Sequence, residues 1–182
     1  MIIYKDLITG DELFSDSFPC TLVEDLYYEV IGKHTTESDD IDESKLGANA
    51  SAEEAAEQLD KNVKSGVNIV LANKLEQCFA ISQDEYLQGI FKPYVKKVKK
   101  LLEEQGSDKA AAFPERAKQL LGLLKKKLKN EEFDFYQGVS QTNEAMTALL
   151  GYKEKDGEEV PYMIFFKDGL TEMKVVSVLD HK

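Results

Sequence analysis

The chain has 182 residues, of which 42% are hydrophobic, so it can build a packed core and is not a wholly disordered polypeptide. Its formal net charge of −11 argues against nucleic acid as a partner, because phosphates are neutralised by Lys and Arg. With two cysteines, no apolar leader in MIIYKDLITG and no apolar run of membrane-spanning length, we expect a cytoplasmic protein with reduced thiols and no membrane span.

Strands are predicted first, because residues 1–7 and 11–33 are rich in β-formers that Ser, Asp and Pro interrupt. The periodicity then disappears, and residues 35–60 carry nine acids and one base, a net charge of −8. We therefore predict a flexible acidic loop over residues 35–64. Strand character resumes in residues 65–81 as two runs, with a turn at residues 72–74.

Residues 82–130 predict an antiparallel helical hairpin, since apolar side chains recur at i, i+3 and i+4 in both halves around a short polar link. Ser82 with Glu85 forms a capping box, and Pro93 predicts a kink or a late helix start. Residues 92–129 carry twelve bases and four acids, a net charge of +8. This basic surface is either a solvated polar face or a docking surface for an acidic partner such as a tubulin tail.

The last third predicts strands again, with hairpin turns at Asp156-Gly157 and at residues 167–169. Strands from both ends of the chain should share one sheet system. The order of elements predicts a single α+β domain over residues 1–182, with a loose extension at 175–182.

No catalytic constellation is visible, because the chain has no glycine-rich phosphate loop and no GxSxG motif. His34 and His181 lack partners at metal-ligand spacing, so we expect a protein that is not an enzyme and requires no cofactor. The acids at 40–51 depart from an EF-hand loop, with Lys45 and Ser51 where Gly and Glu are needed. A weak oxygen-ligand calcium site and a plain solvated tract both stay open.

Three stretches carry a resemblance that covers residues 1–174: MIIYKDLITGDELFSDSF, LGANASAEE and YMIFFKDGL. They resemble the translationally controlled tumour protein family. The resemblance implies a β-tent of mainly antiparallel sheets with an inserted helical hairpin and a long flexible acidic loop. It also implies a non-enzymatic cytoplasmic regulator of growth and survival that binds calcium weakly. Its implied partners are microtubules or tubulin, the small GTPase Rheb and anti-apoptotic Bcl-type proteins, with nucleotide exchange on a Rheb-like GTPase as the alternative.

Site residues follow from the same resemblance. Glu12 matches the acid implicated in GTPase contact, with Asp11 and Asp16 beside it, although such acids are also ordinary turn residues. Ser44 resembles a phosphorylated loop serine. The implied tubulin contacts are Lys96, Lys97, Lys99 and Lys100, and the loop signature is Gly47, Asn49, Ser51 and Glu53, with the weak calcium site near Asn49. The chain departs from the family in its Ala-rich sequence after Glu54, in Pro93 and in an end without a terminal cysteine.

Overall fold

The computed structural model describes residues 1–38, 63–79 and 81–176. Within these ranges the backbone forms antiparallel sheets and one helical hairpin, which confirms the α+β prediction. The strands are β1 (Ile2–Asp6), β2 (Glu12–Ser15), β3 (Cys20–Val23), β4 (Tyr27–Ile31), β5 (His34–Ser38), β6 (Val63–Val67), β7 (Glu76–Cys78), β8 (Asp134–Gln137), β9 (Ala148–Lys155), β10 (Glu158–Phe166) and β11 (Leu170–Lys174). The helical segments are α1 (Asn68–Asn73), α2 (Gln83–Glu85), a π-helical turn (Tyr86–Phe91), α3 (Lys92–Glu104) and α4 (Phe113–Asn130).

Both ends of the chain share one sheet, as predicted. Strand β1 lies between β2 and β11 in a three-stranded sheet, with Ile2 opposite Lys174. The Val175 N–H donates to the Met1 carbonyl (2.8 Å), so residue 175 continues this pairing. The predicted loose extension is therefore wrong at its first residue, and residues 177–182 lie outside the described ranges.

The larger sheet has six strands in the order β3-β4-β10-β9-β8-β7. Its central strand β10 is buried from Pro161 to Phe166 because the other elements cover both faces. The Asp156-Gly157 turn is confirmed as a two-residue hairpin loop, with φ of 52° and 81° at its two residues. Such turns favour Asn, Asp and Gly because both central residues have positive φ.

The predicted hairpin at residues 167–169 is wrong. Strand β10 pairs with β4 and β9, whereas β11 pairs with β1 in the other sheet. Residues Lys167–Gly169 form a single 3-10 turn that carries the chain from one sheet to the other. The Asp-Gly pair predicts a turn correctly, but local turn chemistry does not determine which strand each arm joins.

The strand predicted across residues 68–71 is a short helix, α1. The Asn68 Oδ1 accepts hydrogen bonds from the N–H groups of Lys33 and Ile69, both at 2.9 Å, and Ile69 is fully buried. Lys74 ends the helix in the left-handed conformation. Tertiary contacts therefore override the β preference of Ile69 and Val70.

The predicted loop boundaries at residues 35 and 64 also need correction. Strands β5 and β6 pair with each other, with His34 opposite Val67 and Ser38 opposite Val63. The arms of a hairpin thus occupy both margins of the predicted loop. Residues 39–62, with the remainder of that prediction, lie outside the described ranges.

The helical hairpin is confirmed. The Glu85 N–H donates to the Ser82 Oγ (3.2 Å), as the capping box predicts. Pro93 has no N–H, and the helix widens into the π-helical turn just before it, where the Lys92 N–H donates to the Leu87 carbonyl. Both helices bury a stripe at the predicted spacing: Leu87, Phe91, Tyr94, Val98, Leu102, Phe113, Ala117, Leu120, Leu124 and Leu128.

Aromatic side chains pack this hairpin against the six-stranded sheet. The rings of Phe91 and Phe166 meet edge to face with centroids 5.4 Å apart, and the ring of Tyr86 stacks on Phe135 at 4.4 Å. These pairs contribute about 0.5–1.5 kcal/mol each beyond the area they bury.

A polar clamp holds the start of α4 against the turns of both sheets. It consists of Arg116, Asp168 in the 3-10 turn and Asp25 in the β3–β4 turn. The Arg116 Nε and Nη2 donate to the two Asp168 oxygens at 2.7 and 3.3 Å, and its Nη1 donates to the Asp25 Oδ2 at 3.0 Å. We call this the Arg116 clamp.

Candidate partner-binding site

The first candidate site surrounds the turn from β1 to β2, where Asp11 and the predicted contact residue Glu12 lie, with Asp16 just after β2. A fourth acid, Asp6, organises this turn. Its side chain is 1% exposed and accepts hydrogen bonds from the N–H groups of Ile8 and Met146, both at 2.9 Å. Burial raises the pKa of Asp6, although hydrogen bonds from the backbone of Ile8, Met146 and Thr9 partly oppose this effect.

Asp11 joins the same turn to the loop after β8. Its Oδ1 accepts from the Ser140 Oγ (2.6 Å) and its Oδ2 from the Ser140 N–H (3.1 Å). Gly138 permits this approach, since a Cβ there would lie 2.6 Å from the Asp11 Cβ. Asp16 is also engaged, because its Oδ1 accepts from the Ile2 N–H (3.0 Å). Asp11 and Asp16 therefore have structural partners within the fold.

Glu12 differs from these acids. It is exposed at the first residue of β2, opposite Lys5 in the strand register. Within the described ranges its carboxylate accepts no hydrogen bond and forms no ion pair. Of the three predicted acids, Glu12 is therefore the one that is exposed and has no side-chain partner among the described residues.

A shallow cleft of about 370 Å³ lies beside Glu12. Its walls come from three distant parts of the chain: the β1–β2 turn, the end of α1 and the loop after β8. Val139 is 56% exposed at this cleft, and Lys74 faces it from the end of α1. The cleft thus combines an anionic, a cationic and an apolar group on one surface. The lining residues are Gly10, Asp11, Glu12, Ala72, Asn73, Lys74 and Val139.

The four lysines predicted to contact tubulin do not form one uniform face. Lys96 and Lys99 are exposed on α3. The Lys97 Nζ lies 3.6 Å from Glu144 and is half-buried, and the Lys100 Nζ lies 4.0 Å from Glu104 on the next turn. Lys96, Lys99 and Lys100 are thus exposed, whereas Lys97 faces the loop before β9, and the contact with tubulin stays a prediction.

The cysteines do not resemble activated nucleophiles. Cys20 and Cys78 are free and half-buried, and burial raises the pKa of both thiols. A raised pKa lowers the thiolate fraction at neutral pH, and the thiolate is the reactive form.

The remaining predicted site residues lie outside the described ranges: Ser44, Gly47, Asn49, Ser51 and Glu53. In the part of the chain that the structure describes, no group of three or more His, Cys, Asp or Glu side chains is placed to hold a metal ion. The described helices include none long and apolar enough to cross a membrane.

Several residues that build the first site were not identified from the sequence. Asp6 belongs to the motif DLITGD, and its position before a Gly-containing turn is a weak signal of a side chain that bonds to the turn backbone. Ser140 and Met146 give no local signal, since they are more than 100 residues from the carboxylates they contact.

Comparisons with known proteins agree with this architecture. A family model described as translationally controlled tumour protein matches residues 1–171. The translationally-controlled tumor protein homolog of Drosophila melanogaster is 44% identical over 180 residues, covering 96% of this chain and 99% of the relative. The homolog from Branchiostoma belcheri is 40% identical over 174 residues, with the same coverage of each chain.

Two solved structures are similar to the whole fold. The translationally controlled tumor-associated protein of Schizosaccharomyces pombe gives a TM-score of 0.70 at 36% identity, covering 96% of this chain and 100% of that one. The translationally-controlled tumor protein of Caenorhabditis elegans gives 0.66 at 34% identity, covering 97% and 100%. Sequence and fold together show that this chain belongs to the translationally controlled tumour protein family.

Proposed function

We propose that the chain is a non-catalytic cytoplasmic regulator that binds a small GTPase of the Rheb type through Glu12 and the cleft beside it. The observation that supports this most directly is the difference among the acids at the ends of β1 and β2. Asp6, Asp11 and Asp16 each accept hydrogen bonds from within the fold, whereas Glu12 is exposed. Glu12 follows Asp11 directly, so the contacts of Asp11 with Ser140 lie next to the exposed carboxylate.

The chemistry of the contact follows from the cleft. The Glu12 carboxylate would meet a Lys or Arg of the GTPase, and the exposed Val139 side chain would supply apolar area beside the ion pair. Exposed ion pairs contribute about 0.2–1 kcal/mol, so Glu12 adjusts affinity and orientation and does not supply most of the binding energy.

Isothermal titration of the GTPase with the wild type and with Glu12→Gln tests this proposal. We expect Glu12→Gln to weaken binding about fivefold, near the upper end of the range for an exposed ion pair. Glu158→Gln is the matched control, because Glu158 is also an exposed carboxylate at the first residue of a strand, in the β9–β10 hairpin, and does not line the cleft. Equal affinities of the wild type and Glu12→Gln for the GTPase would show that the Glu12 carboxylate does not contribute to the interface.

The alternative function, nucleotide exchange on the same GTPase, needs no catalytic triad, only a surface that distorts the nucleotide site. Release of a labelled nucleotide separates the two functions. A regulator that only binds leaves the release rate unchanged at saturating protein. An exchange factor accelerates release, and Glu12→Gln reduces that acceleration.

We also propose that the basic face of the helical hairpin binds the acidic tails of tubulin through Lys96 and Lys99, with Lys97 and Lys100 adding long-range attraction. The support is the charge of +8 over residues 92–129 together with the exposure of Lys96 and Lys99. Less of the chain should sediment with microtubules when both lysines are replaced by Gln. Raised ionic strength should have the same effect, because salt screens exposed charges. Undiminished sedimentation of the double variant would contradict the proposal.

Weak calcium binding near Asn49, anti-apoptotic Bcl-type partners and a role in growth and survival control rest on the family resemblance. An isotope-edited NMR titration tests the calcium proposal. We expect small, saturable shifts of amide signals from the acidic segment, and an unchanged spectrum at millimolar calcium would contradict it.

A further inference from the structure

A second surface, an apolar groove between α3 and α4, is not used by the proposed GTPase contact. The groove has a volume of about 310 Å³ and is open along one side. Its floor consists of half-buried Val95 and Leu121 between the buried Phe91, Phe113 and Ala117. The groove thus presents apolar side chains between two helices, a shape in which an amphipathic helix can dock.

Lysines line both sides of this groove. Lys92, Lys96 and Lys99 follow one another at i, i+4 and i+7 on α3, which places them in a row along one wall. Lys118 stands on the opposite wall, on α4. All four are exposed, and the stem of Lys92 is steadied by a hydrogen bond from its Nζ to the Gln88 Oε1 (2.8 Å). The groove is thus apolar along its floor and cationic on both rims.

We propose that this groove docks an acidic amphipathic helix from a partner protein, with an apolar stripe on the floor and carboxylates on both flanks. Seven helical rises of 1.5 Å separate Lys92 from Lys99, about 10 Å, which matches two turns of the docked helix. Helices that dock in grooves present anchors at i, i+3, i+4 and i+7, a stripe that fills a floor of this length.

A ligand that fills the groove needs apolar side chains as well as negative charge. An unstructured acidic tail, as proposed for tubulin, can satisfy the lysines but has no apolar side chains for Val95 and Leu121. The proposal therefore goes beyond the tubulin contact, although the two surfaces share Lys96 and Lys99. Binding that depends on the apolar stripe of the ligand distinguishes the helix from the tail.

The test uses the full chain and two synthetic peptides of about 14 residues, a length that permits roughly four helical turns. One peptide carries a Leu stripe flanked by Glu, and the other has the same composition with the Leu residues dispersed. Fluorescence anisotropy gives the affinities, and amide chemical shifts of the labelled protein locate the site. We expect the dispersed peptide to bind at least about tenfold more weakly, because its apolar side chains cannot reach the floor together.

Two exposed lysines on α4 provide matched variants that leave the core unchanged. Lys118→Glu should weaken binding of the striped peptide about five- to tenfold, because it replaces charge attraction at the rim with charge repulsion. Lys126→Glu makes the same charge change outside the groove and should have little effect. A Leu121→Gln variant, with its fold checked by circular dichroism, should weaken the striped peptide and leave microtubule binding unchanged.

Four results would overturn the proposal. The first is that neither peptide binds at millimolar concentration, and the second is that both bind equally well, which indicates charge attraction alone. The third is binding of anionic phosphatidylserine vesicles without binding of the striped peptide, which assigns the surface to membranes. The last is that Lys118→Glu and Lys126→Glu weaken the peptide equally.

Discussion

The Arg116 clamp allows the attachment of the helical hairpin to be tested quantitatively. We consider Arg116→Met, which keeps much of the side-chain stem and removes the guanidinium. The substitution leaves the Asp168 carboxylate, whose side chain is 11% exposed, without its two-point partner at 2.7 and 3.3 Å. Removing one partner of a fully buried ion pair costs about 3–5 kcal/mol. Because the Arg116 side chain is 22% exposed, solvent reduces this cost, and we expect about 2–3 kcal/mol.

This loss is large enough to measure by thermal unfolding. For a domain of this size each kcal/mol shifts the Tm by roughly 2–4 °C, so Arg116→Met should unfold about 5–10 °C below the wild type. Arg116→Lys keeps the charge but not the fork of donors that matches the carboxylate. It should lose about half as much stability.

A double-mutant cycle isolates the interaction itself. Arg116→Met in an Asp168→Asn background should cost less than in the wild type, with a coupling free energy of about 1–2 kcal/mol between the two side chains. An unfolding temperature for Arg116→Met within about 1 °C of the wild type would contradict a stabilising role of the clamp. Additive effects of the two substitutions would contradict an interaction between the two side chains.

Three further substitutions test the packing around the candidate site and the hairpin. Burial raises the folded-state pKa of Asp6, so ionisation of this carboxyl opposes folding. The free energy of unfolding of the wild type should therefore fall as pH rises above the ordinary Asp pKa of about 4. Asp6→Asn should lack this pH dependence in urea titrations from pH 4 to 7. Gly169→Ala should cost about 1–3 kcal/mol, because the new Cβ would lie 1.7 Å from the Tyr94 Oη before relaxation. Gly122→Ala is its control: no atom lies within 4 Å of that Cβ on α4, so we expect about 0.5–1 kcal/mol of stabilisation. A destabilised Gly122→Ala, a tolerated Gly169→Ala or parallel pH slopes for Asp6→Asn and wild type would contradict these expectations.

The helical hairpin was predictable because its signals are local. Apolar spacing and the Ser82 cap act within a few residues along the chain, and both have their expected effect in the structure. Pro93 also acts locally, but the predicted late helix start is wrong, because helical residues begin at Gln83 and a π-helical turn precedes Pro93. The Asp156-Gly157 turn is similar, since positive φ at both residues is a property of the turn itself.

The errors arise where distant contacts determine the local structure. Residues 68–71 favour a strand by composition. In the structure the Asn68 side chain accepts a hydrogen bond from the Lys33 N–H, and the segment forms a helix. The turn at residues 167–169 is correctly located, but its arms join different sheets because β11 finds its partner at the other end of the chain. Strand pairing across such separations leaves no periodic trace in a single sequence.

The candidate site also combines features that the sequence predicts with features that only distant contacts determine. The family resemblance identified Glu12, but no sequence signal separated it from Asp11 and Asp16. That separation depends on Ser140 and on the Ile2 N–H, which are brought to the two aspartates by the fold. The exposed carboxylate can be recognised only after the partners of its neighbours are known.

The most direct test of the central claim is amide chemical-shift mapping of the isotope-labelled chain during titration with the GTPase. We predict saturable perturbations around Gly10–Glu12, at Asn73 and Lys74, and at Val139, with smaller perturbations throughout for Glu12→Gln. Perturbations confined to α3 and α4 or to the β9–β10 hairpin, with the Glu12 region unchanged at saturation, would contradict the assignment.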